Sequence, residues 1–211
     1  MASTEFLDCD NPRLRAAVAE VTAGITSDRE KAIRLFYWVR DNWRYNPFSI
    51  DITKEAHIAS GLLDREDGYC MSKAILLVAS ARAVNIPCAL GMSDVTNHLT
   101  SNKLKEFMGG NTTFVNHGYA LFYLNGKWVK AAPAFNKELC ERFGVRSTEF
   151  DGQGDAILQE FDVNDRRHME YVNDRGFWSD FPYDSWLATM AENYPLDTWR
   201  GSGEIQDFSP E

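Results

Sequence analysis

Residues 70–84, Cys-Met-Ser-Lys-Ala-Ile-Leu-Leu-Val-Ala-Ser-Ala-Arg-Ala-Val, are apolar nearly all round when wound at helical spacing. A surface helix would keep a polar face. This run has almost none, so it predicts a central helix covered on most sides by the rest of the chain. Asn85-Ile86-Pro87 stops it, and Cys88 to Met92 reads as a short strand. At the other end, Asp67-Gly68-Tyr69 delivers Cys70 to the start of the helix. Unpaired N–H groups and about half a positive charge gather at such a start and favour a thiolate. By itself the position is also that of an ordinary packed cysteine.

The clearest β signal lies further on. Thr112 to Leu124 and Lys127 to Ala132 flank Asn125-Gly126, the dipeptide best suited to a two-residue type I′ hairpin. Leu124 then pairs with Lys127, and counting back along a regular hairpin sets His117 opposite Ala134. Ahead of the central helix, Asn11-Pro12 starts one helix, ending before Gly24, and Ser27-x-x-Glu30 caps a second that ends at Asn46-Pro47. Residues 48–67 are irregular, with a helical turn near Glu55 to Leu62. Ser93 to Asn111 reads as a polar excursion with a short amphipathic segment at Lys103 to Met108. Lys137 to Phe143 reads as a helix closed by Gly144, Met169 to Pro182 as strand and turn, and Tyr183 to Asn193 as a terminal helix. From Thr198 the Gly/Ser-containing end is expected to fray.

Several function classes are excluded on composition. The net charge is −9 and no basic stripe exists, so a phosphate-backbone binder is not expected. No apolar run is long enough to span a bilayer, and the N-terminus lacks a signal-peptide pattern. The four cysteines (Cys9, Cys70, Cys88, Cys140) form no C-x-x-C pair, so neither zinc nor a redox motif is suggested. A reduced, cytoplasmic compartment follows as the expectation. No acidic loop has calcium-binding spacing, and no metal or cofactor is implied. The expected partner is a small-molecule or peptide substrate, with no nucleic acid and no membrane.

A cysteine nucleophile needs a base and a group to orient that base. Of the four histidines, His57 and His168 read as solvated loop residues, and His98 sits in a polar loop able to border a pocket. His117 lies on the predicted strand beside a glycine that permits close backbone approach, which makes it the best base. A buried histidine satisfied by a backbone carbonyl is the competing reading.

Four segments in order resemble the transglutaminase-like family: Gly68-Tyr69-Cys70 opening an apolar helix, Arg82 to Pro87, His117-Gly118-Tyr119, and Asn125 to Val129. That family carries G-x-C, R-x-x-G-I-P, H-x-[WY] and a strand with W-x-x-x-D-P. The resemblance covers about residues 28–136 and implies an α+β, cysteine-protease-like core with the nucleophile helix packed on an antiparallel sheet. A single domain over 1–211 is expected, with a C-terminal extension, 137–211, packed on that core. By the resemblance Cys70 is the nucleophile and His117 the general base. Where the family has Asp before Pro, this chain has Ala132 before Pro133. On the counted register Asn136 is the alternative group within reach of His117, either orienting its imidazole or capping the helix at Lys137. Tyr69, His98 and Trp43 are the expected substrate contacts, with Tyr45 and Trp128 as further candidates for the cleft. The expected activity is acyl transfer, by default hydrolysis of an amide, peptide or thioester through a Cys70 acyl-thioester. The alternatives are a catalytically impaired binding module on the same fold and an amide-forming or cyclising biosynthetic enzyme.

Overall fold

The computed structural model describes residues 2–199 and Phe208. Asn11 accepts from the Arg13 and Leu14 N–H groups and opens α1 (Pro12–Val21). Ser27 caps Glu30 N–H in the same way and opens α2 (Asp28–Asn42). A two-residue strand β1 (Arg44–Tyr45) pairs in parallel with β2 (Asp67–Gly68), and the loop between them holds 3₁₀ turns at Glu55–His57 and Ala59–Asp64. This pair sets the chain immediately before α3 (Cys70–Ala83), the predicted central helix. The chain continues through β3 (Cys88–Asn97), α4 (Asn102–Phe107), β4 (Thr113–Leu124), β5 (Lys127–Ala131) and α5 (Lys137–Phe143). It then runs through β6 (Met169–Trp178), α6 (Tyr183–Asn193) and α7 (Leu196–Trp199). The expected fraying from Thr198 lies largely outside the described residues. No helix among them is long and apolar enough to cross a membrane.

The antiparallel sheet has the order β5-β4-β3-β6, so the segment after α5 completes the sheet begun before it. Leu124 pairs with Lys127 as the hairpin requires, with Asn125 and Gly126 at φ of 50° and 84°. The register counted back from that turn fails beyond Ala131. There β5 leaves the sheet: Ala132 N–H donates to Ala156 O, and Pro133 has no N–H to continue the ladder. His117 therefore has no partner on the β5 side and is not opposite Ala134; on its other side it pairs with Ser93 of β3. The polar stretch after Met92 also differs from expectation, remaining a strand to Asn97. Its backbone groups are taken on both sides, by β4 and by β6.

Every residue of α3 from Cys70 to Arg82 is buried. Its N-terminal turn lies directly on β4 at Gly118, where a Cβ would stand 2.9 Å from Met71 Cα and 3.1 Å from Ala74 Cβ. Only glycine allows that approach. One charged residue is enclosed in the same turn. Lys73 Nζ donates to the carbonyls of Arg40 (2.9 Å), Trp43 (2.7 Å) and Ala134 (2.8 Å). Two of these close the end of α2, where carbonyls lack intrahelical partners and favour a cation. Lys73 thus ties α2 and the segment after β5 to the start of α3.

Candidate active site around Cys70

Cys70 occupies the first position of α3, behind a Tyr69 whose N–H donates to Ser72 Oγ at 3.1 Å. Its thiol faces the backbone N–H groups of Gly118, Met71 and Cys70 itself. Burial pushes the thiol up to about 11, outweighing those N–H groups, which pull it down. The helix start alone would have suggested a lowered value. Enclosure by side chains reverses the sign.

On β4, Gly118 adjoins this thiol and Asn116 shares its chamber, with His117 between them in the strand. The β3–β4 register shifts between Ser93 and Val95, and Asn116 adopts φ of 57°. This bulge breaks strict strand alternation and re-aims side chains, a common arrangement next to sites. It is pinned from below: Asn116 N–H donates to Asp94 Oδ1 at 3.1 Å, and Asn173 Nδ2 to Asp94 Oδ2 at 3.1 Å. Burial works against the Asp94 carboxylate, yet bonds from Arg175, Asn173 and Asn116 hold it below its usual range.

The His117 imidazole is buried edge-on to Tyr171, ring centroids 6.4 Å apart. Neither ring nitrogen has a hydrogen-bond partner, and neither does Asn116 Nδ2. Burial pulls His117 down to about 4. The resting site accordingly holds a neutral thiol and a neutral imidazole with no bond between them. Such orphaned polar atoms are costly inside a protein and call for an explanation.

Cys70 and Asn116 open into one narrow chamber of about 30 Å³. Its walls include Phe107, Phe114, Trp186, Met190 and Tyr194, and no charged residue lines it. The roof comes from α6 and the turn after it, so the C-terminal extension closes the site. A wider cleft of about 350 Å³ shares the Leu104 wall and carries Phe135, Arg166 and His168.

The other expected site residues are distributed unevenly. Tyr69 lines the chamber, and its hydroxyl donates to His57 Nε2 at 2.6 Å. His57 Nδ1 faces the Thr53 carbonyl at 2.8 Å, which places the ring proton there. Tyr45 lines the chamber as well. Asn136 does not reach His117. Its Oδ1 accepts from Tyr45 N–H at 3.0 Å, and its side chain makes no cap bond to α5, although it stands at the cap position. Departure of the chain from the sheet at Pro133 carries it there. Trp43 is not on the chamber wall: its indole N–H donates to Leu62 O at 2.7 Å and its ring packs on Trp38. His98 pairs with Glu170 at 3.0 Å, away from the chamber. Trp128 is on the exposed sheet face beside Tyr123 and Phe177.

His57 and His168, expected in solvent, are both buried, stacked on Phe181 and Phe135. Burial pulls each down to about 4. Asn116 was not singled out in the sequence. The available signal was an asparagine, a poor strand former, inside an otherwise strong β segment.

Comparison with known proteins adds the following. A family model described as the transglutaminase-like superfamily matches residues 15–133. No curated protein matches the chain. Among solved structures, a candidate cysteine protease from Cytophaga hutchinsonii is similar at 17% identity and a TM-score of 0.48, over 63% of this chain and 40% of that one. The arylamine N-acetyltransferase from Mycobacterium abscessus is similar at 17% identity and a TM-score of 0.42, over 64% and 47%. The chain thus spans under half the length of either structure.

Proposed function

The chain belongs to the transglutaminase-like superfamily, and from that premise we propose that it is a cysteine-dependent acyl-transfer enzyme. One observation carries this reading. The Cys70 thiol is near enough to the Gly118 N–H to be stabilised by it, and the residue before Gly118 is a His117 whose two nitrogens are buried and unengaged. A purely structural histidine in so dry a place would be hydrogen-bonded.

In the proposed reaction the Cys70 thiol proton passes to a His117 nitrogen as the S–C bond to the substrate carbonyl forms. The carbonyl oxygen becomes an oxyanion. Its collapse breaks the bond to the leaving group, which takes the proton from the His117 imidazolium. Water then attacks the Cys70 thioester, gives a proton to His117, and releases the acid as the thiol is restored. Hydrolysis is the default because no amine site is evident. Because the thiol rests high and the imidazole low, both act as neutral groups, and ionisation occurs only as the carbonyl is attacked.

A binding module on the same fold is the rival reading, and one observation favours it: no side chain orients His117. Incubation with p-nitrophenyl acetate decides between them. The expected result is a burst of about one nitrophenolate per chain with an acetyl group on Cys70 by mass spectrometry. The burst should vanish in Cys70→Ser and fall at least about 100-fold in rate in His117→Gln. No burst and no acetylated Cys70 in the native chain would leave the binding module.

A further inference from the structure

The acyl-transfer reading leaves one requirement unmet: a second donor for the oxyanion, beside the Cys70 N–H at the start of α3. The chamber wall offers few polar groups. The Tyr69 hydroxyl is engaged by His57. The Tyr194 hydroxyl donates to Thr113 O at 3.0 Å and accepts from Val115 N–H at 2.7 Å. Tyr45 also lines the chamber and its hydroxyl is the competing donor, but of the two Asn116 Nδ2 is the group buried with no partner at all. The residue is 5% exposed, it lines the chamber with Cys70, and its Nδ2 has no partner.

Two features hold the backbone that carries that amide. The backbone at Asn116 sits at φ of 57°, a conformation that asparagine tolerates better than most residues. The Asp94 carboxylate accepts from the Asn116 backbone N–H at 3.1 Å. A buried, unengaged donor on a held backbone, in a water-poor chamber, suits charge that develops only in the transition state. The chamber walls limit the substrate as well. They carry no charged side chain, and about 30 Å³ of space takes one or two heavy atoms.

Resting on the acyl-transfer reading, we propose that Asn116 Nδ2 is an oxyanion donor to the carbonyl attacked by Cys70, and that the chamber takes a small, uncharged acyl group. Asn116 is thereby a catalytic residue. It donates one hydrogen bond to the carbonyl oxygen, and that bond strengthens as the oxygen gains charge.

Alkylation by iodoacetamide separates this role from a structural one. Alkylation displaces iodide at carbon and forms no oxyanion, whereas acylation by p-nitrophenyl acetate does. Asn116→Gly removes the amide and suits the positive φ. It is expected to slow acylation about 100- to 1,000-fold while leaving Cys70 alkylation within about threefold. Asn116→Asp, which keeps the side-chain shape, should lose acylation to at least the same degree. Equal losses of acylation and alkylation, or unchanged acylation, would overturn the donor role while the Cys70 mechanism stands. A Tyr45→Phe variant that loses acylation while Asn116→Gly does not would assign the donor to Tyr45 and equally overturn it. A native chain acylated by no ester would remove the acyl-transfer reading and this proposal together. For the acyl group, rates normalised to a free thiol should run acetate above butyrate, with the equally long hemisuccinate at least about tenfold below butyrate. A hemisuccinate as fast as butyrate, or a butyrate faster than acetate, would overturn the substrate class.

Discussion

Replacing Lys73 by methionine tests how the nucleophile helix is held. Methionine is similar in volume and apolar, so packing is nearly preserved. What is lost is the ammonium that serves Arg40 O, Trp43 O and Ala134 O at 2.9, 2.7 and 2.8 Å. Each buried carbonyl left without a partner costs about 1–3 kcal/mol. The gross loss is offset because the native chain must desolvate a cation and the variant need not. A net destabilisation of about 3 kcal/mol at pH 7 follows, or a fall of roughly 10 °C in Tm for a chain of this size. The pH dependence separates the two effects. Burial pulls Lys73 from its ordinary 10.5 down to about 7. Between these values the unfolded chain binds the Lys73 proton more fully than the folded one, so native stability rises with pH. The Lys73→Met variant has no such contribution, and the gap between the two proteins should widen toward pH 10 by up to about 1.4 kcal/mol per pH unit. Urea unfolding followed by tryptophan fluorescence at pH 6, 7, 8 and 9 measures both. A gap below about 1 kcal/mol throughout would refute the clamp. A gap of the expected size that stays flat from pH 7 to 9 would show the three carbonyls holding the proton against burial.

Acid should destabilise the fold by a separate route. His57, His117 and His168 are each pulled by burial from 6.5 to about 4. Stability present above pH 6.5 is therefore lost as pH falls toward 4, by up to about 3 kcal/mol per histidine. Unfolding free energies at pH 4.5, 5.5, 6.5 and 7.5 should show that slope, and His57→Gln should reduce it by about one proton; an unchanged slope would mean that His57 titrates normally. Gly118→Ala should destabilise by about 1–3 kcal/mol, since the new Cβ meets Met71 Cα at 2.9 Å. Because Met71 adjoins the nucleophile, Cys70 acylation should fall as well, and a variant with native Tm and native acylation would show that α3 does not bear on Gly118.

The elements that local chemistry dictates were legible in the chain. Caps at Asn11 and Ser27, the Asn125-Gly126 turn and the apolar run after Cys70 each depend on a few neighbouring residues, and each stands where its residues place it. What long-range packing decides was not. His57 looks solvated because the residues that bury it, Phe181 and Trp186, come more than a hundred positions later. The strand register is the sharpest case. Counting from the turn is valid only while both strands stay in the sheet, and β5 leaves at Ala132 because a distant backbone carbonyl, Ala156 O, takes its N–H. Asn136 is carried with it to Tyr45, and the group set to steady His117 is absent from the resting site. The neighbour of the base was overlooked for a related reason: on a regular strand Asn116 and His117 face opposite ways, and only the bulge against Asp94 alters that alternation. That bulge, on the opposite side of β4 from the strand whose departure defeats register counting, leaves Asn116 on the wall of the Cys70 chamber.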